Sequence, residues 1–177
     1  MKFITITGFL LASALLLSAQ NTNSPVASTV RQMEAVQAKN LIAAAEQMPA
    51  DKYGYRPTPE QMSFAHLMTH VVESNNNLCA RIAGEQPRQT KLSDSDSKDM
   101  LVQAMKDSFA YCEQVLAKAD DSKLNEEVPL FGTQRGSRAA AFIRLASGWS
   151  DHYGMAAMYL RLNGLLPPSA RKAPAKD

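Results

Sequence analysis

Four segments of this chain carry apolar residues at helical spacing, and proline, glycine or a capping serine interrupts the chain between them. Apolar side chains that recur every three or four residues line one face of an α-helix, so each segment has one face to bury. No segment shows the two-residue alternation of a half-buried strand. The pattern therefore predicts an all-α chain that folds as a four-helix bundle. The predicted helices are 29–47, 64–83, a third that begins after Ser95 or Ser97 and ends before Asp120, and 138–163.

The predicted helices have recognisable start and stop residues. Pro49 ends the first helix, because proline lacks the amide proton that a continuing helix needs. Ser63 and Ser137 are placed to cap the second and fourth helices, and Gly84 is placed to end the second. The connection at 120–136 is long enough to be a crossover that brings the last helix to a non-adjacent position in the bundle.

The first residues have the composition of a secretory signal peptide. Lys2 supplies a positive charge, an apolar run covers residues 4–17, and Ala19 is a small residue suited to the position before a cleavage site. We therefore predict that residues 1–19 are removed and that the mature protein is secreted or lies in the bacterial periplasm. The alternative is an uncleaved signal that anchors the chain, although the apolar run is short for a membrane span.

The rest of the 177-residue chain has the size of one domain. We expect a disordered lead-in at 20–28, the helical bundle at 29–168 and a disordered tail at 169–177. No second apolar run is long enough to cross a membrane, so we expect no stable membrane insertion after signal cleavage. The formal net charge is only +2 and the basic residues are scattered, which argues against nucleic acid as a partner.

The two cysteines, Cys79 and Cys112, fall within the apolar stripes of the second and third predicted helices. An even number of cysteines in an exported protein favours a disulfide, because the compartment is oxidising. The alternative is a pair of small buried side chains that remain free thiols. We predict an inter-helix disulfide.

Three histidines on two helices are the candidate metal ligands. His66 and His70 are one turn apart on the second helix, and His152 lies on the apolar face of the fourth. A helical wheel puts His70 at the rim of the buried face and His66 further toward solvent. Bundle cores commonly build metal sites from facing helices. The alternative for His152 is a buried histidine held by a hydrogen bond, and the nearby carboxylates of Glu73 and Asp151 are interpreted as solvated surface charges.

Several motifs resemble helices of the DinB-like proteins, and together they span about residues 29–168. The first is Phe-Ala-His-Leu-Met-Thr-His-Val-Val-Glu-Ser-Asn at 64–75, followed by Leu-Cys. The others are Ser-Phe-Ala-Tyr-Cys at 108–112, Asp-His-Tyr-Gly at 151–154 and Tyr-Leu-Arg-Leu-Asn-Gly-Leu-Leu-Pro-Pro at 159–168. The resemblance implies a four-helix bundle whose helices run up, down, down and up.

The resemblance also implies a divalent metal site with one histidine on the second helix and two on the fourth, spaced four apart. Carried over to this sequence, two of these ligands fall on His70 and His152. The third falls on Gly148, which has no side chain to bind a metal. Three outcomes follow: His66 substitutes, water and a carboxylate complete a zinc or nickel site, or the site is lost.

The sequence therefore leaves two candidate functions from different classes. Members of the resembled family with known chemistry are metal-dependent thiol transferases and related enzymes, which implies an exported enzyme acting on an unidentified small molecule. In that case Tyr153 or Glu73 is a candidate for handling a proton. The alternative is a non-catalytic periplasmic binding or interaction module that kept the fold and lost the metal site. The resemblance is also compatible with a homodimer.

Overall fold

The computed structural model of the protein describes residues 24–171. The predicted signal peptide, and parts of the predicted lead-in and tail, lie outside the described residues. The described residues contain four α-helices, one short antiparallel hairpin and three turns of 3-10 helix, the last of which follows the fourth α-helix. The helices are α1 (Pro25–Gln47), α2 (Phe64–Ala83), α3 (Lys98–Lys118) and α4 (Arg138–Leu162); the strands are β1 (Glu127–Pro129) and β2 (Arg135–Ser137); the 3-10 turns are Ala50–Lys52, Asp121–Lys123 and Pro168–Ala170.

The first helix begins earlier than the sequence pattern predicts. It starts at Pro25, so the expectation of a disordered lead-in is wrong for residues 25–28. The Asp121 carboxylate accepts hydrogen bonds of 2.9 Å from the backbone N–H groups of Val26 and Ala27. A carboxylate at this position satisfies N–H groups that have no partner within the helix and interacts favourably with the helix dipole.

The other helix ends follow the local sequence signals. Ser63, Ser97 and Ser137 each accept a hydrogen bond from the backbone N–H three residues further on, which caps α2, α3 and α4. Ser97, and not Ser95, is therefore the cap of α3. Gly84 adopts a left-handed conformation with φ of 76° and ends α2, as expected for a glycine after a helix.

The connection between α3 and α4 contains a β-hairpin, so the expectation that the chain has no strand is wrong. Each strand is only three residues long, and the two pair in antiparallel register. Leu130 is buried in the hairpin against Gly136, where an added Cβ would lie 2.8 Å from the Leu130 Cδ1 atom. A side chain at this position would therefore require the end of the Leu130 side chain to move.

The helices run up, down, down and up, as predicted. Each of α1 and α2 packs mainly on α3 and α4, so α1 and α2 lie at opposite corners of the bundle, and so do α3 and α4. The connection that holds the hairpin therefore crosses the bundle, as expected. Helices α2 and α3 are parallel, because Asn75 contacts Ser108 and, further along both helices, Cys79 contacts Cys112. Helices α1 and α4 are also parallel, because Gln37 contacts Ser150 and Gln47 contacts Leu166, which follows α4.

All four helices contribute to one hydrophobic core, in which Phe64, Phe142 and Trp149 are the largest buried side chains. Burial of apolar side chains in such a core is the main favourable contribution to the free energy of folding. Between residues 24 and 171, no helix is long and apolar enough to cross a membrane.

Cys79 and Cys112 lie opposite each other on α2 and α3. Their Cα atoms are 5.4 Å apart and their sulfur atoms are at disulfide-bonding distance. This separation is within the range that a disulfide spans without distortion of the backbone. Both residues are completely buried, so the cross-link would join the two parallel helices inside the core.

Candidate functional site

A cavity of about 490 Å³ opens between α2 and α4, below the β-hairpin. Its walls are mostly apolar, and they also contain two of the three histidines, His70 and His152, together with Gly148. The lining residues are His70, Val71, Ser74, Asn75, Leu78, Phe131, Arg144, Leu145, Ser147, Gly148, Trp149, Asp151 and His152.

The imidazole rings of His70 and His152 meet across the cavity. Their centroids are 4.8 Å apart and the rings are nearly perpendicular, at 82°. The family resemblance implied that these two residues share a site, while the helical wheel put His152 on the buried face of its helix and His70 at the rim of its own. Burial lowers the pKa of His152, the neighbouring His70 lowers it further, and Asp151 partly opposes the shift. This shift favours the neutral form of His152, which can accept a hydrogen bond or bind a metal ion.

Gly148 lies in the cavity wall one helical turn before His152. A Cβ atom added to it would meet only the His152 ring, at 3.6 Å from Cε1 and 3.8 Å from Nδ1. Both distances are ordinary van der Waals contacts. The glycine is therefore not required for close helix packing, and a larger side chain would extend into the cavity.

A buried polar network fixes α4 beside the cavity. The Trp149 indole N–H donates to Asn75 Oδ1 at 2.7 Å, and the Asn75 amide donates to Ser108 Oγ at 3.0 Å. Because all three side chains are buried, each hydrogen bond is costly to lose. The network joins α2, α3 and α4 and holds Trp149 in the wall. Sequence reasoning missed Asn75, although a polar residue within an apolar stripe was the signal that could have revealed it.

His66 does not reach this cavity. Its Nδ1 atom lies 2.9 Å from Asp94 Oδ2, and the other oxygen of that carboxylate accepts a hydrogen bond from Thr69. Asp94 belongs to the connection between α2 and α3, so His66 is held on the outside of the bundle. The structure brings His70 and His152 together and leaves His66 apart from them.

The donor set does not fit a resident metal with three protein ligands. A catalytic zinc site normally has three protein ligands and one open position. Across residues 24–171, no group of three or more His, Cys, Asp or Glu side chains is arranged to hold a metal ion. Glu73 is exposed and outside the cavity lining, and Asp151 lies at the rim. His70 and His152 thus supply two of the three ligands that such a site needs, and Gly148 stands at the position that the resemblance gives to the third.

Tyr153 and Glu73, the two residues expected to handle a proton, lie outside the cavity lining. The Tyr153 hydroxyl donates to Ser169 Oγ at 2.7 Å and accepts from the Ser169 backbone N–H at 2.8 Å. These bonds tie the Pro168–Ala170 turn to α4, so the expected disordered tail is wrong for its first residues. Neither Tyr153 nor Glu73 lines the cavity.

Two residues at the cavity mouth were absent from the sequence prediction. Phe131, at the tip of the hairpin, and Arg144, on α4, both line the opening, and the guanidinium carbon is 5.9 Å from the centre of the phenyl ring. Arg144 also donates a long hydrogen bond of 3.4 Å to Gln134. Their proximity depends on how the hairpin folds over α4, which helical periodicity does not report.

Comparison with known proteins agrees with this architecture. The family model of the DinB superfamily matches residues 32–150. Among solved structures, a DinB-like protein from Bacillus subtilis is 20% identical, with a TM-score of 0.66 over 82% of this chain and 99% of that one. A DinB-like protein from Bacillus cereus is 13% identical, with a TM-score of 0.65 over 80% of this chain and 95% of that one.

An enzyme of known activity is also among the similar structures. The mycothiol-dependent maleylpyruvate isomerase is 12% identical, with a TM-score of 0.59 over 72% of this chain and 59% of that one. At these identities the likeness shows a shared fold and nothing about activity. No curated protein matches the sequence.

Proposed function

The chain belongs to the DinB superfamily, and we propose that it is a non-catalytic binding protein whose cavity holds a small, largely apolar ligand without a resident metal ion. One observation carries this proposal. The cavity of about 490 Å³ is open and mostly apolar, while Gly148 stands where a third metal ligand is expected. The space left by that glycine is continuous with the cavity.

The composition of the walls supports a ligand site. Small-molecule sites are usually concave and mostly apolar, with a few polar groups that fix the orientation of the ligand. Leu78, Leu145 and Trp149 supply apolar surface, and His70 and His152 supply polar atoms at one end. A molecule with a mostly apolar body and few polar groups matches this distribution.

This proposal is tested by filling the cavity. Gly148→Leu places a side chain in the cavity without a backbone clash, so it should abolish binding while the fold is retained. Gly154→Leu is the matched control, because Gly154 is an exposed residue of α4 with open space around its Cβ position. The probe is 3-phenyl-1-propanol with a chelator present, and the readout is the fluorescence of Trp149, the single tryptophan of the chain. Equal binding by the parent and Gly148→Leu would contradict the proposal.

A second candidate function is the binding of zinc or nickel by His70 and His152. The 4.8 Å between their rings supports it, because a shared ion would lie about 2.0–2.1 Å from each ligand nitrogen. Thiol chemistry would then be the expectation, by analogy with the mycothiol-dependent isomerase. With only two protein ligands, we expect such binding to be weak.

Metal analysis separates the two candidates. The purified protein is measured beside His70→Ala, His152→Ala and the matched control His66→Ala. The binding-protein proposal expects far less than one equivalent of metal in all four. If the parent and His66→Ala hold one equivalent and the other two variants lose it, the metal site is present and the first proposal is wrong.

We further propose that the protein works outside the cytoplasm. The signal-like composition of residues 1–19 supports this proposal, as does the disulfide-distance pair of Cys79 and Cys112. Fractionation of cells that express the full chain tests it. Accumulation in the cytoplasm with residues 1–19 still attached would contradict it.

A further inference from the structure

The mouth of the cavity carries a cation that no carboxylate of the described chain neutralises. Arg144 is exposed on α4 and takes part in none of the ion pairs found among residues 24–171. Its hydrogen bond to Gln134 is long, at 3.4 Å. Most of its N–H donors therefore remain available, and a planar guanidinium suits a carboxylate, which it can bind through two parallel hydrogen bonds.

The hairpin keeps this cation beside an aromatic surface. The Arg144 guanidinium carbon is 5.9 Å from the centre of the Phe131 ring, a separation at which the two attract each other weakly. Phe131 follows the buried Leu130, which anchors the hairpin. A ligand that enters the mouth therefore meets a positive charge and a phenyl ring before it reaches the apolar floor.

A negative charge lies further along the same rim. Asp151 is seven residues beyond Arg144 on α4, which corresponds to about 10 Å along the helix axis. An anionic group would be repelled there and attracted at Arg144. The two charges thus define a direction, and the imidazoles of His70 and His152 lie at the Asp151 end.

We propose that the ligand of this cavity is a small monoanion with an apolar body, such as an aryl or alkyl carboxylate, whose anionic group binds Arg144. This inference rests on the proposed binding function. The apolar body lies on Trp149 and Leu145, and the end remote from the anion faces His70 and His152. A second anionic group at that end is excluded by Asp151.

Three probes of the same size test the charge preference. They are 3-phenylpropionate, 3-phenyl-1-propanol and 3-phenylpropylamine, which share one apolar body and are anionic, neutral and cationic at neutral pH. Each is titrated against Trp149 fluorescence at low ionic strength with a chelator present. We expect the anion to bind about tenfold more tightly than the alcohol, and the amine to bind more weakly than both.

Substitutions assign the preference to one side chain. Arg144→Gln should reduce affinity for the anion about tenfold and leave affinity for the alcohol unchanged. Arg144→Lys should restore part of the loss. Arg161→Gln is the matched control, because Arg161 is an exposed residue of α4 outside the cavity lining. Binding of the anion should not change in that variant.

The outcomes separate failure of the anion preference from failure of the proposed binding function. Equal affinity for the anion and the alcohol, or tighter binding of the amine, would overturn the anion preference and leave the cavity function standing. An equal loss of both ligands in Arg144→Gln would show a structural effect and would also overturn the inference. Failure of all three probes to bind would overturn both.

Discussion

Gly148→His should turn the two-histidine pair into a three-histidine metal site. Residues four apart share a helix face, so the new imidazole would lie beside His152 and opposite His70. The added Cβ meets only the His152 ring, at 3.6 and 3.8 Å, and the rest of the side chain enters the cavity. Three imidazoles with one open position is a common zinc arrangement.

The size of the effect follows from two contributions. Replacing a glycine within a helix by histidine should stabilise the fold by a few tenths of a kcal/mol, because glycine is the poorer helix former. Zinc at one hundred times its Kd should add about 2.7 kcal/mol. In a domain of this size, where 1 kcal/mol shifts the Tm by about 2–4 °C, the sum of about 3 kcal/mol raises the Tm by about 6–12 °C. The parent should gain much less from the same zinc concentration.

Calorimetric titration with zinc, followed by thermal melts with and without the ion, measures both quantities. Gly154→His is the matched control, since it places one histidine on the exposed face of α4. It should bind no more zinc than the parent. If Gly148→His melts below the parent and also binds no more zinc, position 148 does not face a site shared with His70 and His152.

Three further predictions concern the core. Burial, with Glu113 nearby, raises the pKa of Glu34 to about 7 from its usual 4.5. The folded state therefore keeps a proton that the unfolded state has already lost, so the free energy of unfolding should fall as pH rises from about 4.5 to 7. In urea melts, Glu34→Gln should remove this fall and should be more stable than the parent by about 1–3 kcal/mol above pH 7. An unchanged slope against pH in the variant would contradict this. Cys79→Ser combined with Cys112→Ser should cost about 3–4 kcal/mol, and alkylation of both parent thiols after non-reducing denaturation would show that no disulfide exists. Asn75→Ala leaves the buried indole N–H without its acceptor, so it should cost about 1–3 kcal/mol in a denaturant melt; a loss below 0.5 kcal/mol would show that the network matters little.

The helices could be predicted from the sequence because their signals are local. Ser63, Ser137 and Gly84 mark helix ends through bonds to groups a few residues away, and the apolar period marks the buried faces. The start of α1 was missed because its cap, Asp121, lies 95 residues from Val26 in the chain. The hairpin was missed because strands of three residues are too short to show an alternating pattern.

The candidate site could also be predicted only in part from the sequence. The pairing of His70 with His152 was implied by the family resemblance, and the helical wheel added that His152 faces the core and His70 lies at its rim. The helical wheel already put His66 toward solvent, but its partner Asp94 is a loop residue that no period reveals. Arg144 and Phe131 form the mouth only because a long connection folds back onto α4. Contacts made by connections are set by the packing of the whole chain, so the sequence pattern does not specify them.

We propose that the cavity between α2 and α4 binds a ligand without a metal ion. The most direct measurement is an NMR titration of the chelator-treated protein with 3-phenylpropionate, followed at the Trp149 indole N–H and the side-chain nitrogens of His70 and His152. The signals of all three residues should shift and saturate with one common Kd, while those of His66 stay in place. Signals that do not move until zinc is added would show that the site requires a metal, and would contradict the account.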